Sequence, residues 1–208
     1  QQHGLEVQGG FIVGFDSDRP DIFEAQESFI QDSAIPLAMV GLLTALPGTA
    51  LWRRLRAEGR LRGQSTGDQF ERPNFAPVLD EALLLRGYAR LLADLYRPEA
   101  YYERCRRYID RAPPLPGSLG IGPADFGTLL RILWRVGIRG GRSRRSFWRT
   151  FLGTILRRPR QLRWLMGHVV MGEHLLRYTR ELVPALLQAG GWGQDLEIGR
   201  AQPPPLSP

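Results

Sequence analysis

Two apolar runs, Leu5–Phe15 and Pro36–Leu46, flank an amphipathic stretch of about two or three helical turns. Apart from its opening proline, the second run is interrupted only by Gly41 and Thr44. Strands covered on both faces read as near-continuous apolar sequence, because helices pack above and below a parallel sheet. A strand, a crossover helix and a second buried strand form a βαβ unit, and the crossover here is long enough. The spacing therefore predicts a piece of a parallel α/β layer. Ligands of such layers sit at the carboxyl ends of the strands, here Gly14-Phe15-Asp16 and Ala45-Leu46-Pro47-Gly48-Thr49.

Local signals give the rest of the order. Asp18 suits the N-cap of the crossover helix, Pro20 its first turn, and Ile22, Ala25, Phe29 and Ile30 its sheet-facing side. Pro47-Gly48 suits the centre of a type II turn, with Thr49 capping a helix that stops at Gly59. Residues 1–62 then read as one unit and the polar, Gly- and Pro-punctuated residues 63–79 as a connection. Asp80 caps a helix bearing Leu84, Tyr88, Leu91 and Leu95, and Pro98 starts a second one, so that 80–112 is a helical pair. Residues 113–122 are a Pro-rich linker. Residues 123–190 are helical again: Phe126, Leu129, Leu130, Leu133 and Trp134 form one stripe, Gly140-Gly141 breaks it, and Ser146 caps a shorter helix. Pro159 opens the longest run, kinked near Pro184, and 191–208 read as a disordered tail.

Gly10-Phe11-Ile12-Val13-Gly14, followed one helix later by Leu46-Pro47-Gly48-Thr49-Ala50-Leu51, resembles the last βα units of a radical S-adenosylmethionine barrel. Within that superfamily the chain is most similar to cobalamin-binding-type members carrying the helical DUF4070 domain. The barrel likeness covers roughly residues 1–62 and the helical likeness the remainder. The resemblance implies a TIM-like partial barrel followed by an α-helical C-terminal domain. It also implies a cobalamin-dependent, methyltransferase-like enzyme acting on a lipid or isoprenoid substrate. In that family the Gly-x-Ile-x-Gly strand lines the adenine of S-adenosylmethionine. Carried over, Ile12 offers the ring an apolar face, Gly10 and Gly14 permit close approach, and Ala45 and Leu46 place backbone groups beside the adenine edge. On residue types alone these glycines read as helix–sheet packing; the two motifs in order turn the reading toward the cofactor.

The family's three cluster-binding cysteines have no counterpart. The chain has one cysteine, Cys105, in a helical segment, where it reads as a small buried side chain. The chain opens Gln1-Gln2-His3, and two strands cannot close a barrel of about eight. The expectation is therefore a C-terminal fragment, inactive alone. Its [4Fe–4S] cluster and cobalamin would be held by an N-terminal part of the same protein, its first partner. His168 and His174 lie six apart, on different helix faces, unlike paired metal ligands. Asp16, Asp18 and Asp21 read as capping groups.

The net charge is +7, and all 28 basic residues are arginine. Eleven of them lie between Asp125 and Glu173, a segment without a single acid but with Trp134, Trp148 and Trp164. Basic helices interleaved with Trp suit an anionic membrane surface, and the same composition suits RNA. Because the aromatics recur at helical spacing with Leu and Val, the membrane is the preferred partner over nucleic acid. A solvated basic face on a helical bundle explains the charge equally. With one cysteine and no apolar run of about 18 residues, the expectation is a cytoplasmic chain, peripherally membrane-associated through this segment. The alternative to the enzyme reading is a non-enzymatic basic module binding an anionic membrane or RNA.

Overall fold

The computed structural model describes residue 3 and residues 5–63, 72–113 and 123–188. In chain order these form β1 (Gly9–Val13), α1 (Ile22–Ser33), β2 (Ala38–Leu42), α2 (Ala50–Ala57), α3 (Glu81–Leu95), α4 (Pro98–Arg111) and α5 (Pro123–Ile132). Helix α5 continues as a π-helical turn, Leu133–Ile138, followed by α6 (Ser143–Arg157), a 3-10 turn and α7 (Leu162–Gln188). The described chain is thus mostly helical, with one two-stranded sheet. The tail from 191, and all of the 113–122 linker but Pro113, lie outside the described residues.

The strand–helix–strand unit forms as its spacing predicts. Strands β1 and β2 are parallel and adjacent, with Gly10 opposite Met39 and Ile12 opposite Gly41. Burial on both faces, however, is not observed. Phe11 and Val13 pack toward the helices, with Val13 and Val40 at 0 % and 1 % exposure, whereas Ile12 and Met39 are about half exposed. Helices α1 and α3 cover one face, and no described element covers the other.

Helix α1 also turns differently from the reading above. Phe23 and Ile30 point inward while Phe29 is exposed, and the helix starts at Ile22, after Asp21, and not next to Asp18. The seat for Phe23 is Gly87 of α3, where a Cβ would lie 2.2 Å from the ring. Local capping elsewhere follows the sequence. Thr49 Oγ1 accepts from the Trp52 amide at 3.2 Å, and Asp80 caps α3 through the Leu83 amide at 2.8 Å. Gly48 has φ +81° inside a turn closed by the Thr49 amide donating to the Leu46 carbonyl, as a type II turn requires. Helix α6 begins at Ser143, three residues before the Ser146 cap predicted, because Gly141 at φ +54° ends the preceding turn early.

One buried cluster runs from Val13 and Val40 through α3 and α4 to Leu176 of α7, so the sheet and the helical bundle share a core. Tyr101 of α4 is its pin. It is fully buried, donates to the His168 carbonyl at 2.6 Å, and lies on Gly172 of α7, where a Cβ would stand 2.3 Å from the ring. Cys105 is buried beside it, and burial pushes its thiol up to about 12. No helix among the described residues is long and apolar enough to cross a membrane.

The N-terminal segment is tied to α7. Glu6 accepts from Trp164 Nε1 at 3.0 Å and meets His168 Nε2 at 2.9 Å, while Trp164 stacks between Tyr108 and His168. His168 is thus a packed link, and burial holds its imidazole below the ordinary 6.5. Since the unfolded chain binds the proton more readily, stability is full above about pH 6.5 and falls as pH drops toward the lowered value. Denaturant titrations should show this decline, no steeper than about 1.4 kcal/mol per pH unit, and a flatter profile in His168→Gln.

Candidate functional site

The open face of the sheet is built from two crossed pairs. Across the strands Ile12 stands opposite Gly41, and Met39 opposite Gly10. Each large side chain therefore borders a position without a Cβ, of which Gly10 is exposed and Gly41 buried. A Cβ added at Gly10 would meet nothing within 4 Å. Among the described residues no titratable side chain belongs to this face.

At the carboxyl end of β1 the chain turns at Gly14, with φ +104°, a conformation suited to glycine. Asp18 fixes that turn, its Oδ2 accepting from the amides of Gly14 at 2.7 Å and Phe15 at 3.0 Å. Asp18 thus caps a loop and not α1. Asp16 receives Arg60 on both carboxylate oxygens, at 2.6 and 3.0 Å, and Arg54 at 2.8 Å. The hydrogen bond from Arg60 holds the Asp16 carboxyl below the usual carboxylate range. Arg60 also donates to the Ala76 carbonyl, so the β1 rim, α2 and residues 74–76 form one brace.

At the end of β2, Asn74 clasps Ala45. Its Oδ1 accepts from the Ala45 amide at 2.8 Å, and its Nδ2 donates to the Ala45 carbonyl at 2.9 Å. Residues 60–62 run antiparallel to 74–76 beside it, with Leu61 paired to the buried Phe75. Residues 74–76 therefore lie against the strand end.

Of the five residues assigned to the adenine, Gly10 and Ile12 share the open face. Gly14 is buried, its nearest neighbours Leu84 and Leu43. Ala45 is buried with both backbone groups taken by Asn74, and Leu46 is exposed on the turn. Sequence reading missed Met39, Asp16 as the partner of two arginines, and Asn74. Only Met39 carried a signal, as an alternate residue in β2.

The outer edge of β2 is closed by hydroxyls. Tyr88 of α3 and Tyr96, the residue that caps its C-terminus, donate to the carbonyls of Val40 and Ala38, at 3.0 and 2.6 Å. These carbonyls point where a further strand would pair. On the outer edge of β1 the Ile12 carbonyl accepts from Gln26 Nε2 at 3.0 Å, and no further strand flanks β1 among the described residues.

Residues 49–186 match the family described as a domain of unknown function, DUF4070. The chain belongs to that family. It is 33% identical over 187 residues to a hopanoid C-2 methylase of Rhodopseudomonas palustris (strain TIE-1), covering 86% of this chain and 34% of that protein. It is 31% identical over 185 residues to an uncharacterized methyltransferase of Synechocystis, with the same coverages. A bacteriochlorophyllide d C-12(1)-methyltransferase of Chlorobaculum tepidum is 28% identical over 103 residues, half of this chain and 23% of that protein. The DUF4070 chain spans about a third of the length of the first two relatives. Because 86% of it exceeds the family segment and everything beyond, the likeness reaches into the residues before 49. No solved structure matches.

Proposed function

We propose that this DUF4070 chain is the C-terminal portion of a radical S-adenosylmethionine methylase, supplying the last strands of a partial barrel and the helical bundle behind them. The observation that carries the reading is the asymmetry of the sheet. Tyr88 and Tyr96 take two carbonyls of the β2 edge. On the β1 edge one outward carbonyl, that of Ile12, is taken, by Gln26 Nε2 at 3.0 Å, and the Gly10–Ile12–Met39 face is exposed. Earlier strands of a barrel would add past β1, and the open face would then line the lumen. The methyltransferase names of its relatives support the same reaction class and, with hopanoid among them, a large apolar substrate.

The open face fits an adenine. Gly10 leaves its floor clear, and Ile12 and Met39 offer apolar contact on either side. S-adenosylmethionine bound there would supply the methyl and one-electron chemistry of the family. The chain's own part is to hold the ring, keep water off it, and fix both strand ends through Asp18 and Asn74.

The residues described do not fit an iron–sulfur cluster. Cys105 is buried with its thiol pushed up to about 12, and no group of three or more His, Cys, Asp and Glu among the described residues is placed to hold a metal. The cluster and cobalamin are assigned to the preceding part of the protein.

Equilibrium dialysis of S-adenosylmethionine against the full-length protein tests this. Ile12→Asp and Gly10→Val should each weaken binding at least about tenfold, by charge on an apolar floor or by filling it. Val78→Asp, at an exposed position, should not change it. Unaltered affinity in both site variants would exclude the adenine reading.

A further inference from the structure

The arginine-rich segment, which the methylase reading leaves unused, builds a cleft of about 710 Å³ between the π-helical turn and α7. Arg131, Arg135, Arg139 and Arg142 line it from one side and Arg180 from α7. None of these five is ion-paired to a carboxylate among the described residues. One carboxylate, Glu173, shares the wall, so the lining carries a large positive excess. The π turn widens the helix by one residue per turn, the Arg139 amide reaching back to the Trp134 carbonyl at 3.0 Å. Gly140 lets the chain close under it, since a Cβ there would strike the Val136 carbonyl oxygen at 2.0 Å.

An apolar stripe runs along the same element. Phe126, Leu130, Trp134 and Ile138, spaced by four, are each more than half exposed. Trp134 belongs to both features: its ring lies 5.7 Å below the Arg139 guanidinium and lines the cleft. A basic row beside an exposed apolar row is the pattern of a helix lying in a membrane interface. RNA is served less well. Trp148 donates to the Gly137 carbonyl and Trp164 is stacked between Tyr108 and His168, so neither is free to stack on a base. The aliphatic Leu130 and Ile138 offer a base no ring.

We propose that this face is a membrane-surface site, the arginine cleft receiving the phosphate of an anionic phospholipid headgroup while Phe126, Leu130, Trp134 and Ile138 enter the interface. It does not depend on the adenine site. A substrate extracted from the bilayer could then be presented from the side on which the chain docks.

The test is sedimentation of the 208-residue chain with phosphatidylcholine vesicles, with and without phosphatidylglycerol, at low and high salt. Binding should require the anionic lipid and weaken with salt. Combining Arg135→Gln, Arg139→Gln and Arg142→Gln should lower partitioning about a hundredfold, at roughly fivefold per cation. Removing the exposed arginines 19, 86 and 90 in the same way should lower it far less. Circular dichroism verifies that both triple variants are folded. As an independent readout, brominated lipid should quench the emission of wild-type protein more strongly than that of Trp134→Ser. Four results would each overturn the proposal: equal binding to neutral vesicles, equal loss in the two triple variants, RNA or inorganic pyrophosphate binding without vesicle binding, or identical quenching in Trp134→Ser.

Discussion

Replacing Asn74 with alanine is expected to cost about 2–6 kcal/mol of stability. Ala45 is fully buried, and among the described residues Asn74 satisfies both its amide and its carbonyl. Removing the side chain strands two buried polar groups, at about 1–3 kcal/mol each. Asn74→Asp separates the two bonds. Its carboxylate still accepts from the amide but faces the carbonyl with no proton to give. The aspartate pKa is then raised in the fold, so the variant should regain stability below the ordinary carboxyl range and lose it as pH rises through the raised value. Urea titrations of both variants across pH check this. Because Asn74 also fixes the turn leading to Thr49, Asn74→Ala in the full-length protein should weaken S-adenosylmethionine binding along with stability. A wild-type urea midpoint for Asn74→Ala would show that the clasp contributes little.

The second large effect concerns the pin between α4 and α7. Tyr101→Ala should cost about 3–5 kcal/mol, as for other buried aromatics, and Tyr101→Phe about 1 kcal/mol through loss of the bond to the His168 carbonyl. Gly172 makes the test sharper. An alanine in mid-helix normally gains about 1 kcal/mol over glycine. Here its Cβ would lie 2.3 to 2.6 Å from Tyr101 ring and hydroxyl atoms, so Gly172→Ala should destabilise, by about 1–3 kcal/mol. In the Tyr101→Ala background the obstruction is gone, and the same change should stabilise. That reversal of sign, read from a double-mutant cycle by chemical denaturation, separates a steric seat from a general intolerance of substitution in α7. Additive effects would rule the seat out.

Much of the order of elements is legible from residue types. The alternation of apolar runs and amphipathic helix gives β1, α1 and β2 and their parallel pairing. Pro47-Gly48-Thr49, Asp80 and Pro98 place the turn and helix starts to within a residue. Asp18 shows the limit of such signals. Beside a helix it reads as an N-cap, yet its carboxylate bonds the Gly14 and Phe15 amides, which lie as close along the chain and turn toward it at the end of β1.

What the sequence determined by itself is what neighbours in the chain decide: periodicity, turn conformation and most of the caps. What the tertiary structure alone decided is which groups meet across long separations. Asn74 reaches Ala45 across 29 residues, and Tyr88 and Tyr96 reach β2 across 48 and 58. The tyrosine contacts occupy the outer edge of β2, while one face of the sheet stays exposed. The physical reason is that a buried carbonyl must be paired by whatever donor the fold brings to it, and no local pattern names that donor.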